Sequence, residues 1–139
     1  MKQKTLAIDP EKCTGCRLCE SVCSLSHEEK MDLTLSRIQI DPLTENRFGP
    51  RVCLQCHQCP PSEVCPNEAF QWDEKTGAVT ILKEKCDRCG LCIPACPSAS
   101  VFEGDRSVIV CDICEGNPRC VEVCQKQAVQ FIEWRIQWS

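Results

Sequence analysis

The residues best placed to do chemistry in this 139-residue chain are its 16 cysteines. A thiolate is a soft metal ligand, a nucleophile and a disulfide partner, so spacing has to decide among these roles. The cysteines fall into four groups of four: Cys13, Cys16, Cys19, Cys23; Cys53, Cys56, Cys59, Cys65; Cys86, Cys89, Cys92, Cys96; and Cys111, Cys114, Cys120, Cys124. The first and third groups share the spacing C-x2-C-x2-C-x3-C.

That spacing is the ferredoxin run for a 4Fe–4S cluster. Three cysteines two residues apart wrap the backbone around three corners of a cubane, and the intervening N–H groups can point at the sulfurs. Gly15 supplies free φ where the turn is tight. The fourth cysteine lies four residues beyond the third, and a helical step of that length carries it about 6 Å along the axis. In two-cluster ferredoxins this fourth thiolate ligates the other cluster. The run CTGCRLCESVC therefore serves two clusters, with Cys23 reaching the second.

Zinc and disulfides are the competing uses. Structural zinc sites use CxxC pairs across a longer loop and explain triplets poorly. Disulfides belong to oxidising compartments, but MKQKTLAIDPEKC has no apolar signal region and no twin-Arg signal is seen. No run approaches the roughly 18 apolar residues of a membrane span. The expectation is a soluble, cytoplasmic chain. A net charge of −4 without a basic run argues against nucleic acid. Removing the cysteines from the 42% hydrophobic residues leaves roughly 30%, low for a globular domain. The cofactors must then serve as core.

Short elements are expected to position these thiols. TLAIDPEKCTGCRLCESVCS (5–24) aligns without gaps on the stretch from residue 78, and each copy is a β-prone run, a polar turn and a cysteine motif. CPNEAF, CPSASVF and CQKQAVQF each lead from a last cysteine into a β-prone run. AFQWDEKTGAVTIL and SASVFEGDRSVIV read as hairpins. The predicted fold is α+β: two ferredoxin-like two-cluster halves, with short β-hairpins and short helices around four iron–sulfur clusters. The chain reads as one polyferredoxin domain, 1–139, with an inner half of about 48–103 and an outer half of 1–25 plus 104–139. Group two would pair with group three and group one with group four, so that LAI (6–8) meets AVQFI (128–132). Adjacent pairing is the alternative, made less natural by the long cysteine-free connection. That connection, 24–52, is read as a docking loop or linker.

With these motifs, the chain resembles the four-cluster iron–sulfur subunits of molybdenum and tungsten pterin enzymes, from about residue 4 to 132. Through CTGCRLCESVCSLSHE and CDICEGNPRCVEVC it is most similar to the small subunit accompanying tungsten aldehyde oxidoreductases. The resemblance implies first-with-last and second-with-third pairing. The ligand sets are then Cys13, Cys16, Cys19 and Cys124; Cys23, Cys111, Cys114 and Cys120; Cys53, Cys56, Cys59 and Cys96; and Cys65, Cys86, Cys89 and Cys92. The second motif departs from the family's C-x2-C-x4-C-x3-C: Cys59 sits two residues early and Pro61 takes its place. Proline follows the last cysteine in groups two and three (Pro66, Pro97), but Ser24 and Gln125 follow it in groups one and four.

Other residues carry weaker signals. His57 lies among four cysteines and is read as a non-ligand. His27, Trp134 and Trp138 are candidate partner contacts, the tryptophans continuing a stripe from Phe131. Lys12, Arg17, Lys85, Arg88, Arg106 and Arg119 flank ligands and would favour reduced, more anionic clusters. No nucleophile–base pair, phosphate loop or GxGxxG is present. The predicted role is non-catalytic electron transfer through four 4Fe–4S clusters. Its partners would be a larger tungsten or molybdenum pterin aldehyde oxidoreductase subunit and, as acceptor, a flavin subunit or ferredoxin, with end-to-end self-association a further expectation. Alternatives are a subunit of formate dehydrogenase, hydrogenase or carbon monoxide dehydrogenase, a free polyferredoxin, and a zinc-stabilised interaction module.

Overall fold

The computed structural model describes residues 4–45, 47–56 and 58–133. Its regular structure is short: two-stranded antiparallel ribbons and helices of four to eleven residues. Strand β1 (Lys4–Ile8) pairs with β8 (Val129–Glu133), Leu6 opposite Phe131 and Ile8 opposite Val129. The expected meeting of LAI with AVQFI is therefore observed.

The two expected hairpins are present as well. β4 (Phe70–Trp72) pairs with β5 (Val79–Ile81). Asp73 ties their turn, its carboxylate accepting the N–H groups of Lys75 at 2.7 Å and Thr76 at 3.0 Å. β6 (Phe102–Glu103) pairs with β7 (Val108–Ile109).

Residues 24–52 differ from the loop that was expected. Helix α1 (Leu18–Glu28) runs past Cys23 for another turn, with no proline after that cysteine to stop it. It ends at left-handed Glu29, whose N–H bonds the Leu25 carbonyl. A 3-10 turn (Leu33–Leu35) follows, and then β2 (Ile38–Thr44) and β3 (Arg47–Val52) form an antiparallel ribbon. The alternation in RIQI explains the ribbon, because it puts Ile38 and Ile40 on one face and both are buried.

The remaining helices are single turns: α2 (Pro60–Val64), α3 (Cys92–Ala95) and α4 (Arg119–Val123), with a 3-10 turn at Ile113–Gly116. Two apolar clusters hold the elements together. Leu6, Ile38, Ile40, Val52, Ile113 and Val129 pack with Cys19, Cys23, Cys111 and Cys120. Phe70, Val79, Val101, Val108 and Val110 pack with Cys92 and, at the edge, with Cys59, Cys65, Cys86 and Cys96. The buried side chain of Gln55 spans the two, donating to the Cys111 carbonyl at 2.8 Å and accepting the Val79 N–H at 3.0 Å. No helix among the described residues is long and apolar enough to cross a membrane.

Candidate metal centres

The first C-x-x-C unit of each group bends through a left-handed residue just before its second cysteine: Gly15 (φ 76°), Gln55 (φ 53°), Arg88 (φ 63°) and Ile113 (φ 53°). Only the first is glycine, so three of the four loops hold a side chain in a sparsely populated region. The bend turns backbone N–H groups inward. Gln55 N–H lies 3.4 Å from Cys53 Sγ, and Ile113 N–H lies 3.4 Å from Cys111 Sγ.

A second device repeats after the last cysteine of groups two, three and four. The N–H four residues on donates back to the sulfur: Ala69 to Cys65 at 3.4 Å, Ser100 to Cys96 at 3.4 Å and Ala128 to Cys124 at 3.3 Å. The residue before each donor is left-handed: Glu68, Ala99 and Gln127. These turns are the local form of the CPNEAF, CPSASVF and CQKQAVQF repeats.

The structure gathers cysteines from different groups. Burial pushes the Cys19 thiol up to about 12, with repulsion from Cys124 and Cys13 adding to it. Burial likewise raises Cys53 to about 12, with Cys59, Cys96 and Cys56 adding. Cys92 rises to about 11 through burial, followed by Cys65, Cys86 and Cys89. Burial raises Cys111 and Cys120 further, with Cys23 repelling both. Cys120 also feels Cys114 and Cys19, and Cys111 also feels Cys53. Cys53, Cys56, Cys59 and Cys96 line one hollow, and Cys65, Cys86, Cys89 and Cys92 line another. Cys16 and Cys89 are the exposed members of the sixteen.

This chemistry fits iron–sulfur cores. The donors are sulfur, they are crowded and buried, and a cationic core stabilises the thiolate form that burial otherwise disfavours. Backbone N–H groups already aim at the sulfurs.

Cys23 stands apart. Helix α1 continues beyond it, so no local N–H turns back to its sulfur. Its donor is the Arg37 N–H, fourteen residues on and 3.2 Å away. His27 lies one turn further along the helix, its Nδ1 2.9 Å from the Cys23 carbonyl oxygen and 3.6 Å from the sulfur. The other ring nitrogen meets Asp112 at 3.1 Å, and Asp112 also accepts the Cys114 N–H at 2.9 Å. Arg37 completes the network 3.6 Å from Asp112. Burial opposes a thiolate at Cys23, yet the His27 hydrogen bond and charge, with the Arg37 N–H, hold its pKa below the ordinary value. Burial also opposes a charged His27 ring, but its bond to Asp112 leads a set that holds its pKa well above the usual range.

His27, read from sequence as a partner contact, thus turns inward. His57, Trp134 and Trp138 lie outside the described residues. Of the six flanking cations, Arg17 is half-buried and pairs with Glu20 at 3.0 Å, while the other five are exposed. Sequence reasoning missed Glu20, Arg37, Gln55 and Asp112. Three of these sit inside cysteine motifs, where ligand spacing draws the eye to the thiols. Arg37 carries no local signal, because its partners lie far along the chain.

Residues 44–134 match the family described as 4Fe-4S dicluster domain, and residues 4–25 match the 4Fe-4S binding domain. The chain is 46% identical over 123 residues to the aliphatic sulfonate oxidoreductase polyferredoxin-like subunit of Pyrococcus furiosus, covering 87% of this chain and 71% of that one. It is 32% identical to the electron transport protein HydN of Escherichia coli K12, over 90% of this chain and 85% of that protein. The solved active-site complex BamBC of benzoyl coenzyme A reductase, bound to benzoyl-CoA, contains a chain similar to it. The TM-score is 0.55 at 27% identity, over 96% of this chain and 81% of that chain.

Proposed function

This chain belongs to the 4Fe-4S dicluster domain family, as an iron–sulfur electron-transfer subunit of oxidoreductase complexes, and from that premise we propose that it holds four 4Fe–4S clusters. The ligand sets would be Cys13, Cys16, Cys19 and Cys124; Cys23, Cys111, Cys114 and Cys120; Cys53, Cys56, Cys59 and Cys96; and Cys65, Cys86, Cys89 and Cys92. The observation that carries this reading is the mixing of groups in space. Cys19 feels Cys124, Cys53 feels Cys96, Cys92 feels Cys65, and Cys120 feels Cys23.

When bound, the clusters supply one-electron transfer. The chain's own residues prepare for it. Backbone N–H groups at Gln55, Ala69, Ser100, Ile113 and Ala128 neutralise sulfur charge. The two apolar clusters shield the inner sulfurs, those of Cys19, Cys23, Cys92, Cys111 and Cys120, from water. Neighbouring sets approach each other through Cys19 with Cys120 and through Cys111 with Cys53. The set with Cys53 shares one apolar cluster with the set with Cys65, which supports a continuous path, with exposed Cys16 and Cys89 in its two end sets.

The partner in this reading is a tungsten or molybdenum pterin subunit that oxidises aldehydes to acids, with a flavin subunit or ferredoxin as acceptor. The names of the similar proteins cover sulfonate and benzoyl-CoA chemistry. Substrate choice therefore belongs to the catalytic partner, and sulfonate oxidation is the competing assignment for that partner.

The test is anaerobic co-purification with the partner and metal analysis. The expected result is about 16 iron and 16 acid-labile sulfide per chain, from four cysteines per 4Fe–4S cluster, with aldehyde oxidation lost when the partner is removed. A value near 12 iron would reject one site, the second motif first. A colourless zinc protein would reject the reading outright.

A further inference from the structure

The set of Cys23, Cys111, Cys114 and Cys120 has a problem that the other three lack. Three of its members are buried, each 6–7% exposed. Each of the other sets has at most one buried member, and two contain an exposed cysteine. Reduction adds negative charge, and burial in low dielectric disfavours that charge. This set also lies between others, since Cys120 feels Cys19 and Cys111 feels Cys53. Left uncompensated, a cluster here would be the hardest to reduce and would sit in the middle of the path.

The same set has donors drawn from far along the chain. The turn that serves Cys65, Cys96 and Cys124 is replaced at Cys23 by longer-range groups. The Arg37 N–H comes closer than any of the other backbone donors to sulfur, at 3.2 Å against 3.3–3.4 Å. The His27 Nδ1, bonded at 2.9 Å to the Cys23 carbonyl oxygen, sets the polar edge of the ring 3.6 Å from the sulfur, and the Asp112 carboxylate holds the ring from the far side at 3.1 Å. Asp112 lies between Cys111 and Cys114 and bonds the Cys114 N–H. The clasp thus joins the two motifs that would share this cluster, across 85 residues of sequence. Hydrogen bonds to sulfur raise cluster potentials, and the partners that orient ligands tune the metal they surround.

We propose that His27, clasped by Asp112, is a positioning residue that raises the reduction potential of the cluster ligated by Cys23, Cys111, Cys114 and Cys120, offsetting its burial so that it does not block the path. The proposal rests on the four-cluster reading and deepens it. Segment 24–52 then has an internal duty: its helical extension and the approach to its ribbon bring His27 and Arg37 to one sulfur.

The experiment is an EPR-monitored redox titration of the full chain in its complex, comparing wild type with His27→Leu and His27→Gln. The leucine variant should lower the potential of one cluster, changing its reduced-to-oxidised ratio at fixed potential by about tenfold, or about 59 mV for one electron. The other three should stay in place. The glutamine variant keeps an N–H donor and should shift the same cluster by less. Unmoved potentials with full iron content in both variants overturn the proposal, as does an equal shift of all four. If the leucine variant loses iron, the glutamine variant decides: a downward shift confined to one cluster supports the proposal, and none overturns it. The parent reading fails separately, if Cys23→Ala leaves iron content and every cluster signal unchanged.

Discussion

The Glu20 carboxylate, 2% exposed, accepts the backbone N–H of Ile40 from twenty residues further along the chain. It joins the first cysteine helix to β2, and its other contact is Arg17 at 3.0 Å. Removing it leaves a buried N–H without a partner, which costs about 1–3 kcal/mol. Glu20→Ala should destabilise the holo protein by about 2 kcal/mol, and Glu20→Gln by less. Denaturant midpoints of the two variants measure this. Equal midpoints would show that the bond carries no net stability.

Gly15 faces a different constraint. A Cβ there would sit 2.7 Å from the Phe48 ring, at φ 76°. The backbone angle alone is not prohibitive, because the equivalent residue in the other copy, Arg88, adopts φ 63° with a full side chain. Phe48 on β3 is what forbids a side chain at position 15. Gly15→Ala should therefore cost about 1–3 kcal/mol through overpacking and lower iron retention, and Phe48→Leu in the same chain should recover much of the loss. Gly90→Ala, with open space around it, should cost only about 1 kcal/mol for its left-handed angle. Iron retention and thermal midpoints compare the three. A double variant no better than the single one would reject the steric account.

Gln55 bridges the Cys111 carbonyl and the Val79 N–H at 3% exposure. Gln55→Ala strands two buried groups, at about 1–3 kcal/mol each. Gln55→Glu keeps the acceptor but loses the donor, and it places a carboxylate beside a carbonyl. Both variants should lower stability, glutamate more than its size suggests. Melting curves followed at cluster absorbance and by far-ultraviolet dichroism would read the effect; unchanged curves would remove Gln55 from the account.

Metal removal should unfold the cysteine loops. Gln55, Glu68, Arg88, Ala99, Ile113 and Gln127 are left-handed residues with side chains, and such conformations persist only where the surroundings hold them. Anaerobic chelation is expected to abolish most native dichroism and expand the chain, as in other small metal-held domains. A compact apo form with native dichroism would show that the apolar clusters suffice alone.

The sequence revealed the parts whose signal is local. Cysteine spacing announced the motifs, and turn residues between β-prone runs announced the β4–β5 and β6–β7 hairpins. Pairing the first cysteine group with the last made the meeting of LAI with AVQFI legible. The ribbon at 38–52 was hidden behind its polar, proline-containing text, although Ile38 and Ile40 alternate as a strand should. Four left-handed bends were legible only at Gly15, because Gln55, Arg88 and Ile113 give no hint of positive φ. The His27–Asp112 clasp was invisible because its two ends are 85 residues apart and neither residue type is diagnostic there.

The pairing of β1 with β8 also sets a schedule. Ile8 lies opposite Val129, so the earlier segment waits on the ribosome for the later one. At about 5–20 residues per second the delay is roughly 6–24 s. During that interval the motif at Cys13–Cys23 is exposed without the strand that covers it, while the stretch holding β4 and β5 already has its hairpin partner. Maturation should therefore run from the middle of the chain outward. A nascent chain arrested before Val129 is the form most exposed to oxygen, and the cell's cluster-loading and protective machinery has most to gain by meeting it then.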